Sequence, residues 1–94
     1  FYFLEAMQQA AQELGLSEEQ GRELAVATFA GAAELAARSP ESLQVLRERV
    51  TSKGGTTYAA ITSMEENGVK VAVVKAVKAA AARGRELGRE MGAG

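Results

Sequence analysis

A single all-α domain of five helices is the fold class this sequence predicts, and three observations predict it. Apolar residues recur every three to four positions along most of the chain, and no alternating run competes as a strand. Start and stop signals (Gly15, Ser17–Gln20, Ser39–Pro40, Gly54–Gly55 and Asn67–Gly68) separate the periodic stretches. A length of 94 residues suffices for one domain and no more.

The first helix is predicted over Phe1–Leu14, with Phe3, Met7, Ala10, Ala11 and Leu14 on one face and Gly15 as its stop. Ser17-Glu18-Glu19-Gln20 then reads as a capping box. Ser17 accepts from the third helical N–H, and the Gln20 side chain reaches back. The second helix should run to Arg38 and present Leu24, Ala25, Thr28, Gly31, Ala32 and Leu35, a mostly small face that lets two backbones approach. Phe29 projects elsewhere and points to burial on a second side.

Ser39-Pro40-Glu41 reads as N-cap, first-turn proline and first-turn acid of a short third helix, with Leu43, Leu46 and Val50 turned inward. The fourth helix, Thr56–Glu66, should bury Ala60, Ile61 and Met64 and end at Asn67-Gly68. The fifth, Val69–Met91, carries a stripe that includes Val69, Val73, Val77, Gly84, Leu87 and Met91, while Val71 and Val74 fall outside it. A helix apolar on several sides belongs between neighbours, and in so short a chain those neighbours include a second copy. Composition agrees. Apolar residues make up 47% of the chain but aromatic residues only 5%, so the core is thin and a lone monomer marginally stable.

Several chemistries drop out. The chain has no Cys, which removes disulfides and thiolate nucleophiles and fits a reducing compartment such as the cytoplasm. It has no His, so the commonest general base and metal ligand is missing. Glu65 and Glu66 are adjacent and face different directions, so they read as solvated last-turn acids and no metal site is expected. A net charge of −1 gives no global attraction for nucleic acid, although Lys70, Lys75, Lys78, Arg83, Arg85 and Arg89 make the last helix basic. Glu86 and Glu90 interrupt that series, and no aromatic residues alternate with it. The apolar run 69–82 contains three lysines and is too short to span a bilayer. The uncapped opening Phe1-Tyr2-Phe3-Leu4, without Met, reads as a start inside a helix and so as a fragment of a longer chain.

The segment with most chemical content is Thr51-Ser52-Lys53-Gly54-Gly55-Thr56-Thr57. Adjacent glycines permit positive φ and a close approach of backbone to ligand. A helix beginning directly afterwards aims unpaired N–H groups and a positive dipole end at the same place, an arrangement suited to a carboxylate or phosphate. Two readings stand at this point: an anion-holding loop, or a plain helix–helix turn with Thr56 as N-cap and Ser52 ending the preceding helix. Tyr58 reads as packing, with contact to a substrate or cofactor as the alternative.

The segment Val50-Thr51-Ser52-Lys53-Gly54-Gly55-Thr56-Thr57 closely resembles the signature of pyrroline-5-carboxylate reductases, which catalyse the last step of proline synthesis. Phe3-Leu4-Glu5-Ala6, Ala27–Ala32 and Arg85-Glu86-Leu87-Gly88 are similar to helical stretches of that family in the same order. Lys53 departs from the pattern, since many members have proline there. The family's glycine-rich dinucleotide-binding domain has no counterpart in this sequence, so the resemblance covers the C-terminal domain only. It implies a domain that interlocks with a second copy as a homodimer or higher oligomer. It also implies a substrate site for 1-pyrroline-5-carboxylate or L-proline. In that site backbone N–H groups of Gly54, Gly55 and Thr56 receive the carboxylate, Ser52 assists by hydrogen bonding, and the Thr57 hydroxyl lies near the ring nitrogen as the catalytic contact. NADPH or NADH would supply the hydride and bind outside this chain. The competing expectation is a stand-alone helical interaction module without catalysis.

Overall fold

The computed structural model of the chain describes residues 1–92, and every regular element among them is an α-helix. These are α1 (Tyr2–Glu13), α2 (Glu18–Arg38), α3 (Leu43–Arg49), α4 (Thr56–Glu66) and α5 (Val69–Gly92). The chain forms two compact units, one ending at Arg47 and one beginning at Glu48, so α3 spans the division.

In the first unit α1 and α2 form a helical hairpin. Gly15, at φ +106°, takes the left-handed conformation that ends α1. Its N–H donates to the Gln12 carbonyl at 3.0 Å and that of Leu16 to Ala11 at 3.0 Å, the paired bonds of a Schellman stop. Two residues later the capping box is complete: Gln20 N–H donates to Ser17 Oγ at 3.1 Å, and Ser17 N–H donates to Gln20 Oε1 at 3.0 Å. The two helices then close on Ala11 and Ala25, the buried apolar residues among those described. Gly21 lies at their closest approach. A Cβ there would stand 3.1 Å from the Gln8 carbonyl and 3.2 Å from Ala11 Cβ. The side-chain amide of Gln8 spans the hairpin, donating to the Glu18 carbonyl at 3.1 Å.

This packing corrects the expected α2 face. Gly21 and Ala25 meet α1, whereas Leu24 and Leu35 stay exposed and a Cβ on Gly31 would touch nothing within 4 Å. Residues with small surfaces make the contact, so hydrophobic periodicity is a poor guide to it. Phe29, expected to be buried on a second side, is 42% exposed.

The start of α3 is a second correction. Ser39 belongs to the end of α2, its N–H donating to Leu35 at 3.0 Å. It is extended (φ −94°, ψ 139°), as a residue before proline is driven to be. Pro40 therefore closes α2 and does not open α3. Ser42 is the N-cap, with Oγ accepting from Val45 N–H at 3.2 Å and its carbonyl from Leu46 N–H at 3.0 Å. Leu43 and Val50, expected inward, are exposed, and Leu46 is half-buried.

In the second unit α4 and α5 are joined by a tight turn. Gly68 takes φ +65°, and its N–H donates to Glu65 at 3.1 Å while its carbonyl accepts from Ala72 at 2.9 Å, so one residue ends α4 and starts α5. Asn67 reinforces the stop by donating from Nδ2 to the Ser63 carbonyl at 2.8 Å. Ile61 and Val73 are half-buried, but Ala60 and Met64 are exposed, contrary to expectation. No residue of α5 is buried. Val71, Val74, Val77 and Leu87 are exposed, so apolar sides of this helix lie uncovered among the described residues. Arg83 is engaged with Glu86 at 3.0 Å and Glu90 at 3.5 Å, which neutralises part of the basic series. No helix among the described residues is long and apolar enough to cross a membrane.

Candidate functional site

The Ser52–Thr57 segment lies wholly in the second unit, between α3 and α4. After α3 the chain pauses on a bond from Thr51 N–H to the Glu48 carbonyl at 3.2 Å. Ser52 therefore stands beyond the helix and does not terminate it.

From Ser52 the backbone reverses over four residues, closed by Gly55 N–H donating to the Ser52 carbonyl at 3.0 Å. Gly54, the third of the four, has φ +78°. That bond and that dihedral are the marks of a type II turn, which needs a residue free to adopt positive φ at its third position and favours proline at its second. Lys53 occupies the second position.

The two glycines do different work. Gly54 is required by conformation, because an L side chain is strained at its φ. Gly55 has an ordinary extended backbone (φ −85°, ψ 179°) and is required by space. A Cβ on it would fall 2.5 Å from Ser52 Oγ and 3.2 Å from the Ser52 carbonyl.

Gly55 is also the N-cap of α4, and it offers no side chain to cap with. Thr56 is thus the first helical residue, which corrects the reading of Thr56 as the cap. The Gly55 carbonyl accepts the first helical bond, from Ala59 N–H at 3.1 Å. Among the described residues, the N–H groups of Thr56, Thr57 and Tyr58 meet no acceptor. They emerge together at the positive end of an 11-residue helix.

The predicted donor set is revised accordingly. Gly55 N–H is spent inside the turn, and the amides facing outward from the helix are those of Thr56, Thr57 and Tyr58. Ser52, Gly54 and Thr56 are exposed, and Gly55 and Thr57 are half-buried. The Thr57 hydroxyl thus belongs to the same helical turn as the open amides. Chemically, the arrangement offers backbone donors, two threonine hydroxyls and a serine hydroxyl, a set with the chemistry to hold a small anion. It supplies no strong base and no nucleophile with a base beside it. Among the described residues no three carboxylates, histidines or cysteines gather where they could hold a metal ion.

A separate cavity of about 400 Å³ opens in the first unit, lined by Phe1, Leu4, Glu5, Gln8, Arg22, Ala25 and Val26. Periodicity gave no signal for it, because its lining consists of ordinary amphipathic positions of α1 and α2. It is a mostly apolar trough between two helices, with Glu5, Gln8 and Arg22 among its lining.

Residues 1–87 match the family model described as pyrroline-5-carboxylate reductase dimerisation. The pyrroline-5-carboxylate reductase of Pseudomonas aeruginosa is 42% identical over 92 residues, covering 98% of this chain and 34% of that protein. That of Vibrio alginolyticus is 43% identical over 88 residues, covering 93% of this chain and 32% of its own length. Among solved structures, a Coxiella burnetii pyrroline-5-carboxylate reductase superposes with a TM-score of 0.86 at 41% identity, covering 93% of this chain and 32% of that one. A Plasmodium falciparum pyrroline carboxylate reductase, crystallised with NADP bound, gives 0.80 at 33% identity over 83% of this chain and 31% of that one. The chain spans about a third of the length of the relatives it matches.

Proposed function

The chain belongs to the pyrroline-5-carboxylate reductase dimerisation family, and from that premise we propose that it is the substrate-binding and dimerisation part of a reductase converting 1-pyrroline-5-carboxylate to L-proline. One observation carries the reading: a turn closed by Ser52 and Gly55 delivers three unengaged amides, on Thr56, Thr57 and Tyr58, to one small volume of surface. A carboxylate fits that volume, since several N–H donors and a helix dipole act on it together.

The chemistry asks little more of this chain. A nicotinamide cofactor, when bound, would supply a hydride to the imine carbon, with the C=N electron pair moving onto a nitrogen that already holds its proton. The protonated imine is electrophilic in itself, so the protein's contribution is orientation. The amides fix the carboxylate end, Ser52 supports it, and the Thr57 hydroxyl meets the ring nitrogen. The described residues form helices and no strand–turn–helix of the kind that cradles a dinucleotide pyrophosphate, which supports placing NADPH or NADH on another domain of the reductase.

The exposed apolar sides of α2 and α5 support association with a second copy, whose helices would cover them. A cytoplasmic setting suits a chain without cysteine. The same exposed faces would serve a helical interaction module without catalysis. Joining the chain to a family dinucleotide-binding domain and following NAD(P)H oxidation with 1-pyrroline-5-carboxylate separates the two. Turnover whose kcat/KM falls on the order of tenfold or more on replacing Thr57 supports the reductase; a folded dimer that neither turns over nor is stabilised by L-proline leaves the interaction module.

A further inference from the structure

The Ser52 hydroxyl occupies the space that a Cβ on Gly55 would need. A methyl group on Gly55 would stand 2.5 Å from Ser52 Oγ, a separation no real Cβ tolerates, whereas Ser52 Cβ lies at an ordinary 3.8 Å from the same point. The crowding is thus specific to the hydroxyl, with a smaller share from the Ser52 carbonyl at 3.2 Å. The hydrogen bond between these two residues holds them at that distance. Serine Oγ has other staggered positions, so a methyl on Gly55 can be accommodated by swinging the hydroxyl away.

From this geometry we infer that Gly55 is a positioning residue for the proposed reaction, acting through Ser52. Its bare Cα is the seat in which the Ser52 hydroxyl rests beside the open end of α4. The inference builds on the reductase reading, in which Ser52 assists carboxylate binding, and assigns Gly55 a role distinct from donating its own amide. That amide is already held by the Ser52 carbonyl. Gly54 has no such role: a Cβ on it would meet nothing within 4 Å, and its constraint is φ alone.

The test is a double-mutant cycle in the reductase carrying this chain, using Ser52→Ala, Gly55→Ala and both together. KM for 1-pyrroline-5-carboxylate and kcat are resolved separately. Ser52→Ala and Gly55→Ala should each lower kcat/KM by about tenfold, mainly through KM, and the double variant should be no worse than either single. A purely structural role for Gly55 would not give that non-additive split. If Gly55→Ala fails to fold while the double variant folds, the same coupling is established, because only the hydroxyl was removed. Multiplying losses overturn the inference and leave two independent residues. A silent Ser52→Ala also overturns it, while the reductase reading still stands or falls on Thr57.

Discussion

Replacing Gly54 by alanine probes the turn that presents the amides of α4. Its φ of +78° lies in the left-handed region, where an L side chain costs about 1–2 kcal/mol. Nothing lies within 4 Å of the new methyl, so no packing term is added. Alanine also restricts the unfolded chain, which returns about 0.4–1 kcal/mol. The balance is a loss of about 1 kcal/mol, equivalent to roughly 4–8 °C in Tm for a domain of this size. Urea unfolding at fixed protein concentration, followed by far-UV circular dichroism, measures it. The midpoint should fall with the slope unchanged, because the surface exposed on unfolding is the same. Adding Ser52→Ala should not restore the loss, in contrast to the steric relief expected at Gly55. Lys53→Pro should act in the opposite direction by about 0.4–1 kcal/mol, since proline pre-sets the second position of this turn. An unchanged or raised midpoint for Gly54→Ala would refute the assignment of conformational strain to this residue.

Other perturbations have equally definite outcomes. Thr57→Ala should lower kcat/KM on the order of tenfold or more if its hydroxyl meets the ring nitrogen, as a steady-state comparison with intact reductase would read. Gly21→Val should destabilise by about 1–3 kcal/mol, because its branched side chain enters a crossing where even a Cβ would stand 3.1 Å from the Gln8 carbonyl; thermal unfolding checks this. Ser17→Ala removes an acceptor from Gln20 N–H and half of the capping box, at a cost of about 1 kcal/mol in the same assay. Multi-angle light scattering on the 94-residue chain should return the mass of a dimer. A monomer at micromolar concentration would remove the proposed self-association.

What the sequence reveals and what it hides divide along physical lines. Helix ends are local events, so Gly15, the Ser17–Gln20 box and Gly68 mark the limits of α1, α2, α4 and α5 within a residue or two. The start of α3 is less legible because two serines, Ser39 and Ser42, both suit an N-cap. Proline beside the first fits either a helix start or a helix stop, and the choice rests with α2 continuing to Arg38. Facing directions are least legible. Gly21 and Ala25 make the tightest packing with the least hydrophobic area, while Leu24, Val71 and Val77 advertise faces that this chain leaves open. At the candidate site, the glycine pair shows where a ligand loop lies. It does not show that one glycine answers to a dihedral angle and the other to a neighbouring hydroxyl. Nor does it show that Gly55 N–H is occupied and that the donors begin at Thr56.

In the proposed dimer, the outward-facing valines and leucines of α2 and α5 would set the kinetics of assembly as well as its outcome. If a partner must finish what one polypeptide leaves bare, the slow step of folding is a second-order collision, and dilution by itself lowers the melting point. Measured stability would then be a property of protomer concentration, and a newly made chain would wait, with its greasy ridges wet, until it met its twin.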